Sequence, residues 1–250
     1  MSKVDRKIKK KKSRLIFLII LLLTSTFIIL YTKTSFFHIS SIEVIGNEKI
    51  TDEKLVLASG IIIDENIFKI NLKMAKENVF LHPYVKNVKI KRRLPNKILI
   101  NVDERKEIAI INYIGSYVYI DEEGIILNIL SERKDDKIIE IYGLDINNPQ
   151  IGDKLVFRDE EFQEKIIEFI NNTRDLGLSI SLEKIIIDEN NNASIYIRNG
   201  GEVAFGTLDD VKYKLNFLIS ILKELESKSQ GYRIIHLDKG SNAIIIKDND

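Results

Sequence analysis

Seventeen consecutive residues, Leu15 to Tyr31 (LIFLIILLLTSTFIILY), carry no charge, and Thr24, Ser25 and Thr26 are their only small hydroxyls. As a helix this run is about 25 Å long, at the short end of what a bilayer core requires. Hydroxyls can bond back to helix carbonyls, so three of them do not interrupt a span. Eight basic residues precede the run within residues 1–14, among them Lys9, Lys10, Lys11, Lys12 and Arg14, against the single acid Asp5. That local charge of +7 resists translocation, so the expected topology leaves the N-terminus in the cytoplasm and everything after the span outside. Residues 1–14 read as a basic cytoplasmic tail and 15–32 as the transmembrane helix.

A cleaved signal peptide would need a shorter apolar region and a small-x-small site beyond it. Thr32-Lys33-Thr34-Ser35-Phe36-Phe37 offers none, so the segment reads as an uncut anchor. A nucleic-acid role for the tail fits poorly. With a net charge of +1 for the whole chain, the 236 residues beyond the tail carry −6, and an acidic body is a poor partner for phosphate. The chain has no cysteine, which excludes disulfides and thiolate metal sites.

Residues 36–107 suggest a small α+β domain. Phe37 to Ile45 alternates as a strand does, and Gly46-Asn47 ends it. Thr51 is placed to cap a helix whose first turn holds Asp52 and Glu53, with Leu55, Val56 and Ala58 as its apolar face and Gly60 as its stop. A second helix near Leu72–Leu81 carries Leu72, Ala75, Val79 and Phe80, and Pro83 closes it. Tyr84–Lys91 and Lys97–Glu104 read as two strands around the turn Leu94-Pro95-Asn96. Strand, helix, helix, strand, strand makes a self-sufficient unit, with two helices on one face of three strands.

Residues 108–247 read as a mostly antiparallel β domain with flanking helices, followed by a short tail, 248–250. Tyr117–Ile120 and Ile125–Ile129 form a hairpin around Asp121–Gly124, and a strand near Ile138–Ile141 follows. A helix over Asp159–Asp175 precedes strands at Leu182–Ile187, Ala193–Ile197 and Glu202–Phe205, separated by turns at Asn190–Asn192 and Asn199–Gly201. Leu208–Glu226 is the clearest helix, with Val211, Leu215, Leu218, Ile219, Leu222 and Leu225 on one side. Strands at Tyr232–Leu237 and Ala243–Lys247 close the domain.

Several short patterns invite a catalytic or metal reading, and each has a plainer one. The three histidines, His38, His82 and His236, come from different elements. The acidic cluster from Asp188 starts like a calcium loop but puts Ala193 where a glycine is needed and Asn199 where a bidentate acid is needed. S-x-x-K occurs at Ser131–Lys134, Ser181–Lys184 and Ser220–Lys223 without the companion elements of a β-lactamase-like site. Asp209-Asp210 reads as a pair of acids serving a helix start. No dinucleotide fingerprint, P-loop or nucleophile elbow is present. The expectation is a protein that is not an enzyme, with no cofactor, no metal and no small-molecule substrate.

The run I-x-V-x-G-N at Ile42–Asn47, L-x-x-x-S-G at Leu55–Gly60, N-I-F at Asn66–Phe68, H-P-Y-V at His82–Val85, K-R-R-L-P-N at Lys91–Asn96 and V-D-E-R at Val102–Arg105 resembles the POTRA domain. In particular it is similar to the copy in the bacterial division proteins of the FtsQ/DivIB family. G-G-E-V-A-F-G at Gly200–Gly206, a long helix, then I-I-H-L-D and A-I-I-I resemble that family's closing pattern, with His236-Leu237-Asp238 where an aspartate, leucine and arginine are common. The resemblance implies a division-septum scaffold that holds FtsB/DivIC-like and FtsL-like proteins outside the membrane through the end of its β domain. On that basis Tyr232, Ile234, His236, Ala243, Ile244, Ile245, Ile246 and Lys247 are the expected partner-binding residues, because an apolar strand at a sheet edge can take another strand. A POTRA-bearing component of a protein transport or membrane-assembly system is the alternative, although no series of lipid-facing barrel strands follows.

Overall fold

A computed structural model describes residues 3–134, 137–157, 160–198, 200–240 and 242–247. Two compact units divide the chain, Met1–Leu81 with Val85–Glu104, and His82–Tyr84 with Arg105–Asp250.

In the first unit, helix α1 (Lys3–Thr32) contains one stretch long and apolar enough to cross a membrane, Lys11–Thr32. Its apolar side chains are exposed all round, from Tyr31 at 46 % to Phe27 at 69 %, which suits a lipid solvent and no aqueous one. Thr24, Ser25 and Thr26 each donate to a carbonyl three or four residues back, at 2.8–2.9 Å, so none of these three hydroxyls is left bare in the span. The basic stretch is helical too. Lys11, Lys12 and Arg14 are exposed, and the side chains of Lys9 and Lys10 lie outside the described residues.

The folded part of this unit runs β1 (Ser41–Ile45), α2 (Asp52–Ser59), α3 (Leu72–Phe80), β2 (Val85–Arg93) and β3 (Lys97–Glu104). The sheet order is β1-β3-β2, with β1 parallel and β2 antiparallel to β3. Thr51 caps α2 by accepting from the Lys54 N–H, and Gly60 ends it in the left-handed conformation at φ +67°. Asn71 caps α3, accepting from the N–H groups of Lys73 and Met74 at 3.1 Å. Leu55, Ala75 and Val79 from the helices and Val88, Ile98, Ile100 and Val102 from the sheet are buried.

Three expectations are corrected in this unit. Phe37 belongs to a 3-10 turn (Ser35–Phe37) and β1 starts only at Ser41, because the backbone of Phe37 and Ile39 pairs with the loop at Glu65 and Ile67. Of the proposed apolar face of α2, Leu55 is fully buried while Val56 and Ala58 are half-buried. Phe80 is 51 % exposed, since the core-facing stripe of α3 is Ala75 and Val79.

The second unit is a nine-stranded sheet carrying two helices. Its strands are β4 (Ala109–Tyr113), β5 (Ser116–Ile120), β6 (Ile126–Leu130), β7 (Ile139–Tyr142), β8 (Leu182–Ile187), β9 (Asn192–Ile197), β10 (Glu202–Thr207), β11 (Ile234–His236) and β12 (Ile244–Ile246). The lateral order is β12-β11-β10-β9-β8-β7-β4-β5-β6. Neighbours are antiparallel except at β10–β11, β7–β8 and β4–β7, which are parallel. Each parallel pair needs a crossover, and α4 (Glu160–Asp175) and α5 (Val211–Ser227) serve β7–β8 and β10–β11. Phe162, Ile166, Phe169 and Ile170 from α4, and Val211, Leu215, Leu218, Ile221 and Leu225 from α5, pack on one sheet face against Ile141, Ile185, Ile195, Val203 and Ile235. The rings of Phe169 and Phe205 meet edge to face at 5.2 Å.

Here α5 begins at Val211 rather than Leu208, because Asp210 stands at φ +51° and makes no side-chain cap, while Leu208 is buried in the core. Strand β4 is an element that the alternating pattern does not reveal. The two closing strands are each three residues long, so Tyr232, Leu237, Ala243 and Lys247 flank them. Asp159 and the tail 248–250 lie outside the described residues.

Candidate partner-binding edge

The candidate site begins with a close backbone approach. A Cβ on Gly201 would stand 2.3 Å from the Arg233 carbonyl oxygen and 2.6 Å from that of Tyr232, so only glycine lets the start of β11 come this near to β10. The Glu202 N–H donates to the Arg233 carbonyl, and the Leu237 N–H to that of Ala204, both at 2.9 Å. A register shift between Ala204 and Gly206, where φ is +76°, marks a bulge on the β9 side of β10.

On β11 rests β12, with Ile234 opposite Ile246, Ile235 opposite Ile245 and His236 opposite Ile244. Among the described residues no strand lies beyond β12. In an antiparallel ladder a residue turns its N–H and C=O to the same side, so along β12 these pairs point alternately at β11 and away from the sheet. Ile244 is 48 % and Ile245 37 % exposed, and Ile246 is half-buried.

Register carries these side chains into two rows on the face away from the helices. Ile246, Ile234, Glu202, Tyr196, Lys184 and Glu140 line up across β12 to β7. Ile244, His236, Ala204, Ser194, Ile186 and Tyr142 make the next row. The first row is apolar at the β12 margin and polar further in, where Lys184 lies 4.7 Å over the Tyr196 ring. Burial and then Glu202 raise the Tyr196 pKa.

The other expected residues stand close by. Tyr232 packs against the core with its hydroxyl enclosed, and burial raises its pKa while the Gly201 backbone opposes that shift. His236 faces Asp238 through Nδ1 at 3.0 Å. Ala243 packs partly on the core, and Lys247 is exposed. Ile245 shares the helix-covered side with Ile235, so the eight expected residues are split between two faces of one margin.

Beside the margin, a cleft of about 570 Å³ is lined by Asp188, Asp209, Asp210, Lys214 and Asp238 among others. Asp188, Asp209, Lys214 and Asp238 are engaged in the fold. The Asp188 carboxylate accepts from the N–H groups of Asn190 and Asn192 at 2.8 Å, and these bonds lower its pKa, so the calcium-loop look-alike folds as a turn. Asn199, the twelfth position of that pattern, lies outside the described residues. Lys165 bonds Asp209 at 3.1 Å and lowers its pKa. Lys214 donates to the Thr207 carbonyl at 2.8 Å. Among the described residues no group of three or more His, Asp or Glu is placed to hold a metal ion.

The S-x-x-K residues are spread over separate elements. Ser220 bonds the Asn216 carbonyl inside α5, and Lys184 sits on Tyr196. His82 accepts from the Tyr84 N–H at 3.3 Å, and His38 meets Asp64 at 3.3 Å.

Residues 37–105 match the family described as POTRA domain, FtsQ-type, and residues 109–238 the one described as cell division protein FtsQ/DivIB, C-terminal. Strand β12 lies beyond the last matched residue. A cell division protein DivIB of Clostridium botulinum strain Hall is 36 % identical over 234 residues, covering 90 % of each chain. The cell division protein DivIB of Clostridium tetani is 29 % identical over 231 residues, covering 90 % of this chain and 85 % of its own. The cell division protein FtsQ of Geotalea daltonii is 26 % identical over 218 residues, covering 86 % and 77 %. With both domain types matched in order after an apolar helix, and a relative of this identity aligned over nine-tenths of its length, the chain belongs to the FtsQ/DivIB family of cell division proteins.

Proposed function

We propose that this protein is a non-catalytic scaffold of the division septum that holds FtsB/DivIC-like and FtsL-like partners outside the membrane. In this reading residues 1–14 stay in the cytoplasm, 15–32 span the membrane, 36–107 form the POTRA domain and 108–247 the β domain. The basic charge before α1 supports that orientation.

The observation that carries the reading is the unpaired margin of β12, an apolar strand with exposed Ile244 and Ile245 at the end of a nine-stranded sheet. A partner segment that adds a strand there satisfies backbone groups and covers isoleucine side chains together. Three residues are a short edge, one of the ways in which sheet proteins limit edge-to-edge pairing between copies. The recruits would also contact Ile246, Ile234 and His236 on the open face, with Lys247 and Tyr232 at the ends of the strip.

Co-purification of the full chain with an FtsB/DivIC-like partner tests this. Replacing Ile245 by Lys lowers capture at least about tenfold, ~1.4 kcal/mol, while the circular dichroism spectrum is unchanged. Full capture by the folded variant moves the site off β12.

A further inference from the structure

The folded part of the first unit meets α1 through a set of aromatic rings. Tyr31, in the last turn of α1, lies 5.8 Å from Phe36 and 5.4 Å from Phe37 between ring centroids. Phe37 in turn lies 5.1 Å from both Phe36 and Phe68. Phe37 is buried, yet Phe36 is 51 % and Phe68 44 % exposed.

The loop that carries Phe68 is fixed to the helix end. The buried Asn66 side chain donates to the Thr32 carbonyl at 2.8 Å and accepts from the Phe68 N–H at 3.0 Å. Arg92 holds the same loop from β2, donating to the carbonyls of Ile67 and Ile70 at 2.7 and 2.6 Å. These bonds fix where the exposed rings stand with respect to the span.

As a helix, the uncharged stretch 15–32 is about 27 Å long, a little under a hydrocarbon core of about 30 Å, so it has no apolar length to spare at either end. Tyr31 therefore falls at the boundary between acyl chains and headgroups, the depth at which aromatic side chains collect. Phe36, in ring contact with Tyr31, and Phe68, joined to it through Phe37, are drawn to the same level. Lys69 directly follows Phe68 and Lys33 lies between Tyr31 and Phe36; both lysines are exposed, with stems long enough to rest on apolar surface and cations suited to lipid phosphates.

We propose that Phe36 and Phe68, with Tyr31, Lys33 and Lys69, form a lipid-binding collar that seats the POTRA domain on the leaflet from which it emerges. The occupant is the bilayer itself, because the collar continues the surface that α1 already gives to lipid. The inference rests on α1 being a membrane span, and it is independent of what β12 binds.

The chain contains no tryptophan, so single tryptophans report position cleanly. The full chain is reconstituted into vesicles of phosphatidylcholine and phosphatidylglycerol whose acyl chains carry bromine, with Trp introduced in separate variants as Ile28→Trp, Phe68→Trp or Leu81→Trp. Leu81 is the off-membrane control. It is 81 % exposed and lies four residues before Val85, which pairs with Glu104 at the end of the sheet away from α1. The Lys97 end pairs with Ser41, next to the helix, and the two ends are roughly 23 Å apart at strand rise.

The collar predicts blue-shifted, strongly quenched emission for Phe68→Trp and Ile28→Trp, and none of that quenching for Leu81→Trp. Quenching of Ile28→Trp with solvent-like emission from Phe68→Trp overturns the collar and leaves the span standing. Absence of quenching at Ile28→Trp overturns the span, and the collar with it. Equal quenching at Phe68→Trp and Leu81→Trp also overturns it, since the whole domain would then lie on lipid.

Discussion

Ile245 faces Ile235 across the antiparallel pair β11–β12, yet Ile235 is fully buried while Ile245 keeps 37 % of its surface exposed. The difference comes from the lateral order, since Ile235 has β10 on its other side and Ile245 has no strand there among the described residues. An added strand would give Ile245 the second neighbour that Ile235 already has.

That geometry separates two proline variants. Along β12 the backbone N–H groups of Ile244 and Ile245 point to opposite sides. Proline at whichever one faces outward removes a donor to the partner and leaves the β11 pairing intact, as edge positions tolerate. Proline at the other loosens β12 from β11. Capture assays and thermal unfolding on Ile244→Pro and Ile245→Pro should show one variant that loses binding at nearly native stability. The other should lose both.

Gly201 is the point at which β11 is set. Gly201→Val would drive side-chain carbons into the carbonyl oxygens of Arg233 and Tyr232, which have no soft side chain to give way. We expect a stability loss of about 1–3 kcal/mol, the usual scale for overpacking, accompanied by weaker partner capture. Gly115→Ala is the control, because nothing lies within 4 Å of the added carbon there and only its backbone preference at φ +75° is lost.

Arg105 bonds the carboxylates of Asp121 and Glu123, the latter at 2.8 Å. Burial alone would lower the Arg105 pKa, but the bonds to Glu123 and Asp121 outweigh it and the net direction is upward. The Asp121 side chain is fully buried and Arg105 is 11 % exposed, so Arg105→Met strands a buried charge. Urea unfolding of the full chain in detergent should show a loss of about 3–5 kcal/mol. Adding Asp121→Asn to that variant should restore part of it.

The tyrosines predict weakness in alkali. Burial, followed by the Glu140 hydrogen bond, pushes the Tyr142 pKa up to about 12 from an ordinary 10.0. Above pH 10 the unfolded chain gives up this proton while the folded one keeps it, so stability present below pH 10 is lost as pH rises to about 12. Tyr142→Phe should flatten the stability curve in that window and leave its slope near neutrality unchanged. Tyr84, raised by burial and by Glu107, should behave in the same way.

Much of this fold is written locally. Thr51 and Gly60 announce both ends of α2, and the stripe Leu215, Leu218, Leu222, Leu225 gives most of α5. What sequence pattern misses is set at long range. Ala109–Tyr113 is a short run with three successive buried residues, the signature of a strand covered on both faces, and it lacks the alternation that betrays a half-exposed one.

The closing strands could be read as strands, but not their place. That β11 lies parallel to β10 and takes β12 on its outer side depends on the α5 crossover and on the gap that Gly201 leaves open. The buried Arg105–Asp121 pair joins residues sixteen apart, and no spacing rule connects them.

The α5 crossover also gives the molecule an order of manufacture. Because β10 is translated before α5, and β11 only after it, a growing chain has β10 as its provisional margin for the time needed to make residues 208–233. Ile244, Ile245 and Ile246 are translated after the buried core residues that they border. In the proposed reading, a recruit that adds a strand there would meet this margin only after that core has been translated.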